Sequence, residues 1–125
     1  MIDKKFIYAV VGASNDKNKY GYKVFEDLLS AGYMVIPINP NEEKILGKKC
    51  YKKLENYKKG VDVIIFVTQP SITENIVMKL GNYKFKKIWM QPGSDSKNVI
   101  SFCEKNNIDF VINSCIMIQR KNKTV

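Results

Sequence analysis

Residues 10–22 read VVGASNDKNKYGY, and the reading of this stretch decides the fold. An apolar strand that ends on Gly12, followed by a polar turn and a second glycine, Gly21, makes the first half of a βαβ unit. Phe6 to Val11 is short and apolar enough to be buried on both faces. From Gly21 to Ala31, the residues Val24, Phe25, Leu28 and Leu29 fall on one helical stripe, and Gly32 is placed to end it. Met34 to Ile38 gives a second strand, closed by the turn Asn39-Pro40-Asn41. Pro37 is awkward inside it because it cannot donate to a ladder, which places it near the end of the pairing.

The alternation of strand and helix continues downstream. Val61 to Val67 (VDVIIFV) is too apolar to face water on either side. Ser71, three residues before Glu74, has the spacing of a capping box, and Ile72, Ile76, Val77 and Leu80 form the stripe of the helix it starts. Lys87 to Met90 is a fourth strand, Gln91-Pro92-Gly93 a turn, Ser94 to Asn106 a helix and Asp109 to Ile112 a fifth strand. Residues 42–59 suggest only a turn, a brief extended piece and one helical turn. The pattern predicts an α/β protein: a single three-layer, Rossmann-like domain over residues 1–119, with a polar tail at 120–125. Its five-stranded, mainly parallel sheet is expected in the order 3-2-1-4-5, with ligands outside the carboxyl ends of the strands.

Composition removes much common chemistry. The chain of 125 residues has no histidine, so Ser-His and Cys-His nucleophile pairs are excluded and most transition-metal sites lose their usual ligand. Cys50, Cys103 and Cys115 are odd in number and lack CxxC spacing, which signals neither a disulfide framework nor zinc. No apolar run approaches the roughly 20 residues that span a bilayer, so the expectation is a cytoplasmic protein. The net charge of +9 invites a nucleic-acid reading, but the lysines are scattered and Arg120 is the only arginine. Asp16, Glu42 and Glu74 form no acid–base set.

The turn after the first strand has the parts of an anion site. Gly12 permits a tight exit and close backbone approach, Ser14 offers a hydroxyl, Lys19 a charge, and Gly21 lies where a helix N-terminus points free N–H groups outward. An ordinary βα turn with a capping serine has the same residues. An NAD site requires GxGxxG and an acid at the end of the second strand. The gap from Gly12 to Gly21 is too long for that spacing, and Asn39 stands where the acid belongs.

The stretch from VVGASNDKNKYGYKVFEDLL through INPNEEKILGKKCY, with VDVIIFVTQP, IWMQPG and INSCIMI following in order, resembles the small stand-alone CoA-binding proteins. That fold is related to the CoA-binding domain of succinyl-CoA synthetase. The resemblance runs from about Ile7 to Ile118. It implies that Gly12, Ala13, Ser14, Lys19, Tyr20 and Gly21 hold the CoA diphosphate and that Asn39 and Pro40 lie beside the adenosine. Val67 and Thr68 then stand in the wall where family members often carry Val-Pro-Pro, and here the run is Val67-Thr68-Gln69-Pro70. Gln91, Pro92 and Gly93 match a Gln-Pro-Gly motif, and Asn113, Cys115 and Met117 match a closing Asn-x-Cys-x-Met pattern.

The expected function is therefore binding of coenzyme A or an acyl-CoA, with no evident catalysis of its own. Cys115 could meet the CoA thiol, against the plainer reading of a small packed residue. The resemblance to the synthetase carries no activity over, because that reaction relays phosphate through a histidine. The alternatives are an NAD(P)-dependent or partner-requiring enzyme subunit and, ranked last, a nucleic-acid-binding module. No membrane partner is expected, and the oligomeric state is open.

Overall fold

The computed structural model describes residues 2–123. Five parallel strands form the sheet: β1 (Ile7–Val11), β2 (Met34–Ile38), β5 (Val63–Phe66), β6 (Lys87–Met90) and β7 (Asp109–Val111). Two two-residue strands, β3 (Lys44–Ile45) and β4 (Lys48–Lys49), make a small antiparallel ribbon. The helices are α1 (Tyr20–Ser30), α2 (Pro70–Met78), α3 (Lys97–Lys105) and α4 (Ile116–Lys123), with a single 3-10 turn at Leu54–Asn56.

Side chains alternate across the strands and so divide the core in two. Tyr8, Val10, Val63, Ile65 and Trp89 face α1 and α4, where they meet Val24, Phe25, Leu28 and Ile116. Ala9, Val11, Ile64, Phe66, Ile88 and Met90 face the other way, against Val77, Val99 and Cys103. All four residues of β5 are buried, as a parallel strand covered on both faces requires.

The sheet order is β2-β1-β5-β6-β7. With only the five long strands counted this is 2-1-3-4-5, not the expected 3-2-1-4-5. The third strand pairs with β1 instead of lying beyond β2. Pro37 is accommodated in β2 by its orientation. Its carbonyl accepts the N–H of Tyr51 on the outer side of β2, so the missing N–H also faces outward and no bond to β1 is lost. At the end of that outer edge residue 51 pairs in a single bridge, its carbonyl accepting from the N–H of Asn39, and β2 is the edge strand of the sheet. Crossovers of one hand then put α1 on one face and α2 and α3 on the other, with the switch point between β1 and β5.

Three local expectations change. Helix α2 begins at Pro70, the first helical position, so Ser71 lies inside the helix and caps nothing. Glu74 instead accepts the Ser96 hydroxyl at 2.6 Å and ties α2 to α3. Ile72, expected in the buried stripe, is 46 % exposed, and Thr73 takes the inward position. Finally, the polar segment from Arg120 is helical as far as Lys123; residues 124 and 125 lie outside the described residues.

Candidate functional site

The ends of β1, β5 and β6 open into a cleft of about 590 Å³ at the switch point. On its first side Gly12 and Gly21 bring three backbones together. Gly12 has φ +94, and a Cβ there would stand 2.3 Å from the carbonyl oxygen of Val67. A Cβ on Gly21 would stand 1.9 Å from the carbonyl oxygen of Gly12. Only glycine fits at either position, and their contact presses the start of α1 against the exits of β1 and β5.

The four helix starts differ in how their N–H groups are used. In α3, Ser96 accepts the N–H of Val99 with its side chain. The N–H of Ile116 at the start of α4 goes to Oε1 of Gln91 at 2.8 Å. No side chain caps α1 or α2. The backbone N–H groups of Tyr20 and Gly21 find no acceptor among the described residues, and both residues line the cleft. At α2 the first residue, Pro70, has no N–H and the N–H groups of Ile72 and Thr73 go to the Gln69 carbonyl, so the start of α1 is the one that brings free donors and positive potential to the cleft. Lys19 stands at the rim, and the Lys23 ammonium lies 5.4 Å from the centre of the exposed Tyr20 ring.

Of the residues singled out in the sequence, Gly12, Lys19, Tyr20 and Gly21 line the cleft, as do Val67 and Thr68. Gln91, Pro92, Gly93 and Cys115 line it too. Gln91 has both ends of its amide engaged, because Nε2 donates to the Cys115 sulfur at 3.4 Å while Oε1 caps α4. Its role here is to join β6 to α4 and to hold Cys115 at the cleft wall.

The remaining six lie apart from the cleft lining. Ala13 is fully buried in the core, and the Ser14 hydroxyl accepts the N–H of Asp16 at 3.0 Å. The Asn39 amide donates to the Ala13 carbonyl at 2.7 Å and accepts the N–H of Asn41 at 2.8 Å. Its side chain braces the glycine turn against β2. Pro40 accepts from Lys52 through its carbonyl. Asn113 sits at φ 60 in the turn after β7, and Met117 packs against the core under α4.

Four more residues line the cleft: Asn18, Gln69 and Pro70 belong to the turns Gly12 to Lys19 and Thr68 to Pro70, which the sequence places at the carboxyl ends of the strands, and Ser94 lies outside the turns so placed. Ser94 is the instructive one. It was expected inside a helix, but α3 starts at Lys97, and Ser94 lies in a turn where its N–H bonds to the Gln91 carbonyl at 2.9 Å.

Cys50 and Cys103 are buried and their thiols are pushed up by desolvation, which keeps them protonated and inert. No cluster of three or more potential metal ligands occurs among the described residues. A second concavity of about 370 Å³ lies at the opposite end of the sheet, beside Gly60, Asp62 and Lys86. Its one carboxylate is already used by the N–H of Ile7 at 2.7 Å and by Lys86 at 3.4 Å. No helix begins there, and the switch-point cleft is the better candidate.

The family model described as a CoA binding domain matches residues 7–121, and the chain belongs to that family. It is 36% identical over 81 residues to the alpha subunit of acetate–CoA ligase [ADP-forming] II of Pyrococcus furiosus, covering 64% of this chain and 18% of that one. It is 29% identical over 73 residues to acetate–CoA ligase [ADP-forming] of Methanocaldococcus jannaschii, covering 58% of this chain and 10% of that one. The chain thus spans less than a fifth of the length of these curated relatives. Among solved structures, a conserved hypothetical protein from Pyrococcus furiosus superposes with a TM-score of 0.86 at 40% identity, covering 90% of this chain and 97% of the other. A hypothetical protein from Pyrococcus horikoshii gives 0.85 at 27%, covering 92% and 81%.

Proposed function

We propose that this chain binds coenzyme A, with the diphosphate on the free N–H groups of α1 and the thiol-bearing arm laid across Val67, Thr68 and the Gln91–Ser94 turn toward Cys115. The observation that carries this reading is the uncapped start of α1, whose Tyr20 and Gly21 N–H groups find no acceptor among the described residues and line the cleft. Diphosphate oxygens would satisfy donors that the protein leaves open. Net charge of +9 favours the approach of a polyanionic ligand. The open shape of the cleft suits a long ligand better than a compact one. In this reading Asn39 acts on the ligand through the turn it braces, and Lys19 neutralises phosphate charge at the rim. The three free cysteines and the thiol ligand both fit a reducing, cytoplasmic setting. No helix among the described residues is long and apolar enough to cross a membrane.

Free CoA and its acyl thioesters share every feature used so far, and either would be accepted. A second reading is favoured by the curated relatives. In it the chain supplies the CoA-binding part of a partner-requiring enzyme, as a piece of sequence that in acetate–CoA ligases accompanies a much longer chain. The chain's own residues offer binding and orientation, and no activated nucleophile lines the cleft.

Thermal unfolding tests the proposal. A millimolar excess of CoA should raise the midpoint by several degrees, since a ligand that binds only the native state stabilises it by mass action. NAD at the same concentration should leave the midpoint unchanged. Equal shifts with both ligands, or no shift with CoA, would reject the reading.

A further inference from the structure

Ser94 is 3 % exposed, yet it lines the cleft. Its Oγ accepts the N–H of Thr68 at 3.2 Å, and no acceptor among the described residues takes its own proton. A buried hydroxyl with an unspent proton is costly unless something else receives it. Thr68 is arranged differently. Its Oγ1 lies 2.7 Å from Oγ1 of the fully buried Thr73, which donates in turn to the Gln69 carbonyl at 3.3 Å. Each hydroxyl has one proton, so both bonds form together only when Thr68 donates to Thr73. The Thr68 proton is therefore turned away from the ligand, and its methyl group lies against Gly12. The Gln91 amide spends Oε1 and one of its two Nε2 hydrogens, so the buried side chains of the cleft with a proton to offer are Ser94 and the remaining N–H of Gln91.

Neutral side-chain donors beside the apolar surface of Val67 and Pro92 are poorly matched to phosphate, which favours a cation or charge-assisted bonds. They match a carbonyl oxygen on an otherwise apolar chain. Resting on the CoA reading above, we propose that Ser94 is a specificity-determining residue that donates its hydroxyl proton to an amide carbonyl of the ligand's pantetheine arm. The N–H of Thr68 holds Ser94 in place for this bond. The cleft then selects pantetheine-bearing thiols and thioesters over bare nucleotides, because only the former fill the acceptor position.

Calorimetric titration of the full chain separates the two levels of the proposal. The ligands are CoA and 3′-phosphoadenosine 5′-diphosphate, which has the phosphates and adenosine but no arm. Ser94→Ala should weaken CoA roughly five- to tenfold, the worth of one hydrogen bond, and change the armless nucleotide less than twofold. Ser94→Cys keeps the size of the side chain and a weak donor, and it should fall between the wild type and Ser94→Ala for CoA alone. Equal losses for both ligands would mean that Ser94 only shapes the turn, and CoA affinity unchanged in both variants would mean that the hydroxyl is idle. Either result overturns the proposal. Failure of the wild type to bind CoA would instead reject the CoA reading, and this inference with it.

Discussion

Gly12 and Gly21 are visible in the sequence as the ends of a turn, but their reason for being glycine lies in a contact between them. A methyl group at Gly21 would stand 1.9 Å from a backbone oxygen, which no rotamer change relieves. Gly21→Ala should therefore cost about 3 kcal/mol and lower the denaturation midpoint sharply. It is a test of packing, read by chemical denaturation, and it cannot isolate ligand affinity; an unchanged midpoint would refute the three-backbone contact. Asn39 teaches a related lesson. Its place after β2 was legible, and the absence of an acid there separates this turn from an NAD site. That its amide is spent on Ala13 and Asn41 depends on partners 26 and 2 residues away, which spacing alone does not reveal. Ser94 was missed because the QPGS run continues into a helical pattern, and only the start of α3 at Lys97 leaves that serine in the cleft wall.

Among the elements, the five long strands and the first three helices were legible from apolar periodicity, whereas the β3–β4 ribbon and α4 were not. The sequence of α4, IMIQRKNK, carries too little apolar surface to announce a helix. Tertiary contacts hold it instead. Ile116 is fully buried, Gln91 caps the first turn, and Arg120 makes a two-pronged pair with Asp27 of α1 at 2.7 and 2.9 Å. Both side chains of that pair are more than four-fifths buried, so the pair exceeds an open surface ion pair in value. Arg120→Ala should cost about 1–2 kcal/mol and raise amide hydrogen exchange across residues 116–123 ahead of the rest of the chain. Arg120→Lys should recover only part of this, since an ammonium cannot make the parallel pair. Uniform loss of protection over all elements would contradict a local role. At α2, the capping-box spacing was a false signal, overridden by Pro70 at the first helical position.

At the scale of the whole molecule, one buried phenol links the fold to pH. Burial pushes Tyr8 from its ordinary value of 10.0 up to about 12. The folded protein holds the neutral phenol while the unfolded chain ionises first. This contribution to stability is complete below about pH 10 and is lost as pH rises from 10 toward 12. A tyrosinate absorbance titration should contain a late step near pH 12 that is missing in Tyr8→Phe; a wild-type curve without that step would refute the burial of this ring in the core.

The sequence by itself determined the class of fold, the five long strands and the glycine turn, because apolar periodicity and backbone conformation are local properties of the chain. It also determined which turns end the strands, and so most of the residues available to a ligand. Only the tertiary structure decided which of those turns meet. The end of β2 bridges to residue 51, β5 lies beside β1, and Val67 and Thr68 pack against Gly12 at the cleft. Strand order depends on which edges remain free to pair, and that is settled by contacts between residues far apart in sequence.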